Sequence, residues 1–427
     1  MTSRRIVVPA GLLMVGLSAW MASWGDLSLI IPKFLAGFAG LFVLYAISVL
    51  ALSRAREAQR TVLIFIFAVA VSCRVFLLFG PPTLSNDIYR YLWEGRVIAA
   101  GHNPFLLPPD APELEGMRDE NYEGINHPQL GTIYPPLAQG VFLLGALLDP
   151  GLRMQKVLAV VFDLATMVVL LLLLRLRGRN VLLCAVYGWS PLVLIEFSHS
   201  GHMDSVGIFF LVLGLLFLQR ARAGPGMVAL ALSFLAKYLS VLLVPFLLFK
   251  RKYAPWTVLF VLVAVAGYLP FAEAGSRLVA SLRLYGTEWT FNSILFSLLT
   301  RALGHAELIH VVLGGGVAAY ALAQAYIRKD PFRFAYRVVA CSLLLAPTVY
   351  PWYITWIIPF LCFYSSRAWL FFSGAVMLSY SVWVAYPGTG VWEVASLPLV
   401  LEYAPFYALL ALAAWRRRRG GALPESP

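Results

Sequence analysis

Charge is what this chain has least of. Only 13% of its 427 residues are Asp, Glu, Lys or Arg, and 60% are hydrophobic. A soluble domain carries roughly 25% charged residues, so that class is excluded. Period-two alternation is missing as well. The apolar runs are long and continuous, which excludes a barrel and suits helices that satisfy their own backbone in lipid. Cysteine is scarce. Cys73, Cys184, Cys341 and Cys362 are isolated in or beside apolar runs, with no Cys-x-x-Cys pair and no metal spacing, and read as packing residues. No repeat of fixed period and no low-complexity tract is present. Acidic residues number 21 against 33 Lys and Arg, a net charge of +12. That surplus does not point to nucleic acid, because the basic residues crowd the ends of apolar runs, as in loops held in the cytosol. The expected fold is an all-α polytopic membrane protein of about 12–14 transmembrane or re-entrant helices. It forms one domain over residues 1–419, with a disordered tail at 420–427.

Arg4 and Arg5 precede the first apolar run, 6–24. The start resembles a signal peptide, but no small-x-small site follows, so an uncleaved first helix is expected. Runs at 28–51 and 61–79 come next, with Arg54, Arg56 and Arg60 between them. With the N-terminus in the cytosol, the third helix emerges outside at Gly80-Pro81-Pro82. The interval 80–153 is too polar to span. Its one apolar piece, 137–148, would reach only ~18 Å of a ~30 Å hydrocarbon layer, so it lies on or dips into the outer face. Segments at 154–174, 181–197 and 205–219 then alternate in direction. Residues 226–249 read as a hairpin turning near Lys237. A single crossing would put Lys250-Arg251-Lys252 and the Arg416–Arg419 run outside, against the positive-inside rule. A second outer loop covers 273–306. Further segments at 307–327, 335–347, 354–364, 369–386 and 398–415 bring the C-terminus back to the cytosol.

This topology gathers unlike polar groups on the outer side of a cell membrane, while the cytosolic loops are short and basic. A reaction there needs a donor that arrives activated, and a sugar on a polyprenyl phosphate meets that condition. Its transfer needs a carboxylate to take the acceptor proton, cations to hold the leaving phosphate, and flat rings to hold sugar. Asp87 is the candidate base. Lys237, Arg90, Arg96, Arg283 and Arg301 are candidate phosphate ligands. Tyr91, Trp93, Tyr350, Trp352 and Tyr353 are candidate platforms. Glu94, Tyr134, His199, His202, Asp204 and Asn292 are candidate substrate contacts. If a divalent metal takes part, Asp87, His202 and Asp204 are its candidate ligands, although their spacing is not a firm metal pattern. Structural readings stand beside these. Ser85-Asn86-Asp87 is a good capping sequence. Arg90 and Glu94 are spaced to pair on one helix face. Lys237 could snorkel, though a lysine in an apolar hairpin is a functional candidate by default. The Tyr350-Pro351-Trp352-Tyr353 corner could be an interfacial anchor.

Six short stretches carry a resemblance. They are Asp-Ile-Tyr-Arg-Tyr-Leu-Trp-Glu-Gly-Arg (87–96), Gly-His-Asn-Pro-Phe (101–105), Tyr-Pro-Pro-Leu-Ala-Gln (134–139), Gly-His-Met-Asp (201–204), Ala-Lys-Tyr (236–238) and Tyr-Pro-Trp-Tyr (350–353). In this order they resemble the GT-C superfamily of polyprenyl-phosphate-dependent glycosyltransferases, and bacterial mannosyltransferase-like members above all. The likeness covers about residues 60–365. It implies a GT-C-like bundle with interfacial helices in the first outer loop. The family's catalytic acid opens that loop, at Asp87 here. A second acid follows the histidine motif, at Asp204 here. Many members have Asn before that acid, where this chain has Met203. No large C-terminal outer domain is seen, so acceptor recognition is expected from the loops. The function expected is transfer of a hexose such as mannose to an extracytoplasmic lipid or glycan. A lipid or polysaccharide transporter is the alternative, but it would want an internal repeat and paired access, and neither is visible.

Overall fold

The computed structural model describes residues 2–55 and 59–419. The tail expected to be disordered, 420–427, and Arg56 of the first basic cluster lie outside the described residues. Among the described residues there is no strand. One isolated bridge joins Phe291 to Thr348. Among the described residues, eight helices are long and apolar enough to cross a membrane, nine if one bent pair counts as a span, and five further apolar helices are shorter, at 10–17 residues. The chain is an all-α polytopic membrane protein.

The first half builds the frame. Helix α1 (Thr2–Ala22), α2 (Ile31–Ser53) and α3 (Arg60–Leu78) pack together. Helix α4 (Asp87–Ala99) and α5 (Pro136–Leu148) lie in the polar interval, and α6 (Leu152–Leu176) returns through the bundle. At 13 residues, α5 is too short to span, as its apolar length foretells. The next apolar run is broken. Pro191 lacks an N–H, and the two pieces, Val181–Gly188 and Pro191–His199, meet at 48°. The carbonyl of Gly188, where the first piece ends, accepts from Arg74 of α3 at 2.8 Å, and Arg74 is paired with Asp163 of α6, both fully buried. Residues Leu194–His199 form a π-helix, a form frequent at functional sites.

The turn expected near Lys237 is present. The helix Ala223–Lys237 stops where Tyr238 takes a left-handed conformation, φ +56. Two short pieces, Leu239–Leu243 and Val244–Phe249, follow. Lys250 then reaches the Tyr326 carbonyl, Arg177 pairs with Asp330, and Asn180 donates to the Leu52 carbonyl. The basic segments therefore converge at one end of the bundle. The polar motifs converge at the other.

Candidate active site

Asp87 is placed by three anchors on the segment before it. Lys156 of α6 is buried, and its Nζ donates to the carbonyls of Leu77, Leu78 and Gly80 at 3.2, 3.0 and 2.6 Å. It thereby satisfies carbonyls that the end of α3 leaves open, with a charge of the sign that end favours. Trp383 Nε1 holds the Leu84 carbonyl at 3.1 Å. The Ser85 hydroxyl accepts from the Asp87 N–H at 3.3 Å. Asp87 then opens α4, where its charge suits the helix dipole. Helix α4 is pressed onto α5 at Gly95, where a Cβ would lie 2.2 Å from the Phe142 carbonyl oxygen. Only glycine allows that approach.

Arg90 and Glu94 take the structural role their spacing allows. Arg90 Nε meets Glu94 Oε1 at 2.7 Å, and both are buried. The rest of the guanidinium binds the His127 and Leu130 carbonyls. Glu94 also accepts from Thr132 at 2.7 Å and from Gln139 at 2.6 Å. This network fixes the turn carrying Tyr134.

A cavity of about 620 Å³ opens at this end of the bundle. Of the residues expected from sequence, Asp87, Arg90, Tyr134, Lys237, Tyr350, Trp352 and Tyr353 line it. Lys237 Nζ lies 3.2 Å from Asp204 Oδ2 and sits over the rings of Tyr134 and Tyr353. Asp204 is buried behind the wall, and its other oxygen accepts from Trp356 Nε1 at 2.7 Å. His202 is likewise one layer back. Its Nε2 is 4.0 Å from Asp87 Oδ2. Its Nδ1 is 2.9 Å from Glu196 Oε2 but off the line of a hydrogen bond. Glu196 accepts the Tyr380 hydroxyl at 3.0 Å, and Tyr380 returns to the cavity wall.

The floor is a pile of rings. His202 stacks on Trp352 at 4.0 Å between centroids, Trp352 on Tyr350 at 4.4 Å, and Tyr350 on Phe291 at 4.5 Å. Burial pushes the phenols of Tyr134, Tyr285, Tyr350 and Tyr353 above their ordinary range, and the charge of Asp87 adds to the shift at the first three. These hydroxyls remain protonated donors, a useful property beside a phosphate.

Other expected residues fall elsewhere. Tyr91 is buried and stacked on Phe142. Trp93 packs on Tyr122, and Arg96 pairs with Asp119 at 2.7 Å. His199 is buried against Gly80. Asn292 is buried, donates to Glu402 at 2.8 Å and holds its loop to the Ser396–Arg418 helix. Arg283 and Arg301 are exposed and do not line the cavity. The phosphate-holding reading therefore narrows to Lys237, since Arg90 spends its donors on protein. Among the described residues, no group of three His, Cys, Asp or Glu is placed to hold a metal ion. Asp87, His202 and Asp204 are not assembled as one ligand set, because Asp204 is committed to Lys237 and Trp356.

Sequence reasoning passed over Glu196, Lys156, Glu288, Trp383, Tyr386 and Trp392. A charge inside an apolar run was the available signal for the first two. Three aromatics at and after the end of a predicted span marked the last three, but such rings ordinarily read as an interfacial belt.

No curated protein and no solved structure matches the chain. Residues 7–251, more than half of the chain, match the family described as alpha-(1->6)-mannopyranosyltransferase, N-terminal domain. That span contains Asp87, Glu196, His202, Asp204 and Lys237. The chain belongs to the alpha-(1->6)-mannopyranosyltransferase family and is a glycosyltransferase.

Proposed function

We propose that this protein is a GT-C type enzyme that moves a hexose, mannose by its family, from a polyprenyl-phosphate donor to an extracytoplasmic lipid or glycan. The observation that carries the reading is the shared cavity of Asp87 and Lys237. Asp87 accepts the proton of the attacking hydroxyl. The acceptor oxygen bonds to the anomeric carbon as the bond from that carbon to the phosphate oxygen breaks. The polyprenyl phosphate leaves with the electron pair. Lys237, held by Asp204, offers its charge to that phosphate. The buried phenols supply further donors. His202 backs Asp87, and Trp352 and Tyr350 offer a flat floor to the sugar.

A smaller hollow of about 210 Å³ supports a lipid-linked donor. It shares Tyr285, Trp289 and Tyr353 with the main cavity and continues along Leu343, Ala346 and Pro347. These apolar groups suit the first part of a hydrocarbon chain. The orientation follows from charge. The end where the basic segments converge faces the cytosol, with both termini, and the cavity opens on the other side of the cell membrane.

The test is transfer itself. Full-length protein in lipid is given a radiolabelled mannosyl phosphate polyprenol and membrane acceptors. Label should pass to a glycan or lipid acceptor and the Asp87→Asn variant should fail. Transfer at the original rate by an inserted Asp87→Asn protein rules out the base.

A further inference from the structure

The cavity wall carries two groups of residues of different chemistry. One is Asp87, Lys237 and the Tyr350–Trp352 floor. Beside that floor stand Trp383, Tyr386 and Trp392, which the transfer just described does not use. These three rings form a box. Trp383 and Tyr386 each meet Trp392 at 4.9 Å and nearly at right angles, and they meet each other at 6.1 Å.

The rings sit on and after the end of one span, Arg367–Thr389, just before the next begins at Ser396. Aromatics there usually anchor a membrane interface. Here all three line the cavity instead. Trp383 is tied to Leu84, three residues before the candidate base. Trp392 extends the ring pile from the floor, lying 6.1 Å from Phe291 at 27°. Trp383 and Trp392 are half-buried and Tyr386 is 37% exposed, so ring surface remains to be covered. Glu288 and Thr290 line the same cavity and are exposed. Ring faces with a carboxylate and a hydroxyl beside them suit a sugar, whose C–H face stacks while its hydroxyls donate. A hydrocarbon chain would leave the carboxylate without a partner.

We propose that the Trp383–Tyr386–Trp392 box is a second sugar subsite. It holds the acceptor sugar next to the one that receives the transferred hexose. The proposal rests on the transfer reading above, and it makes the acceptor a glycan of at least two sugars instead of a bare lipid alcohol.

Full-length protein in nanodiscs is titrated with mannose and with α-1,6-linked mannobiose, following tryptophan fluorescence. Transfer to each sugar is measured separately with a mannosyl phosphate polyprenol donor. The wild type should favour the disaccharide about tenfold in Kd and in KM, near the upper end of what one aromatic contact contributes. Trp392→Ala should bring that ratio close to one. Tyr386→Ala removes a ring and no side-chain hydrogen bond, and it should act the same way should Trp392→Ala fold poorly. A ratio unchanged in both variants, or a wild type indifferent to the second sugar, overturns the subsite. Binding with the expected preference but no transfer leaves the box standing and sinks the reaction. Transfer that ignores the second sugar sinks the box alone.

Discussion

Lys237 has a structural role and a proposed chemical one, and the two can be separated. Its ammonium lies 3.2 Å from Asp204, whose side chain is fully buried while that of Lys237 is 15% exposed. At an effective dielectric near 20 their attraction is on the order of 5 kcal/mol before desolvation is counted. Lys237→Met strands the Asp204 charge in the wall. Removing one partner of a buried pair costs about 3–5 kcal/mol, so the single variant should melt several degrees lower. Adding Asp204→Asn removes the stranded charge and keeps an oxygen for Trp356 Nε1. The double variant should therefore regain most of the melting temperature. On the proposed phosphate role it should not regain activity, because the cation is still missing. The loss expected is about 10²–10³ in kcat, the size of one transition-state donor. The assays are thermal unfolding in detergent and transfer in lipid on the same preparations. A double variant that transfers at the wild-type rate refutes the phosphate role. A Lys237→Met protein as stable as wild type refutes the burial argument.

Asp87→Asn should insert and fold normally while kcat falls about 10²–10⁴-fold, as for loss of a general base. Gly95→Ala puts a methyl 2.2 Å from the Phe142 carbonyl, so α4 must part from α5 and carry Asp87 with it. Lower melting temperature and weak transfer are expected, and wild-type values for both would show that the close approach is dispensable. Asp119 gives a pH effect. Burial acts to raise its carboxyl, but hydrogen bonds from Arg96 and Asn121 outweigh that and hold it below its ordinary value. The tether is therefore complete above the ordinary carboxylate range and lost as pH falls through the lowered value. Hydrogen exchange across 112–124 should rise only under strongly acid conditions. A rise beginning near neutrality would place its cause elsewhere.

The convergence of Asp87 and Lys237 was legible because hydropathy and the basic clusters fix which loops share an end. The turn at Lys237 followed from charge placement alone, although Tyr238 has none of glycine's freedom at positive φ. Arg90 and Glu94 were ambiguous, since a pairing i,i+4 and a substrate contact look alike in sequence. Glu196 could not be found that way. It faces His202 only because a π-helix and a proline break shift the register of an otherwise apolar run. Arg283, Arg301 and Asn292 share a loop with cavity residues, but their side chains leave it on other faces. Loop membership carries no direction.

The lysine in α6 is flanked on two sides. On one side Lys156 grips the carbonyls that end α3. On the other, a Cβ at Gly201 would lie 3.0 Å from Lys156 Cγ and 2.8 Å from Ile88 Cδ1. The carboxylate and the imidazole therefore hang from a single post in a membrane helix, on which the loops around them also lean.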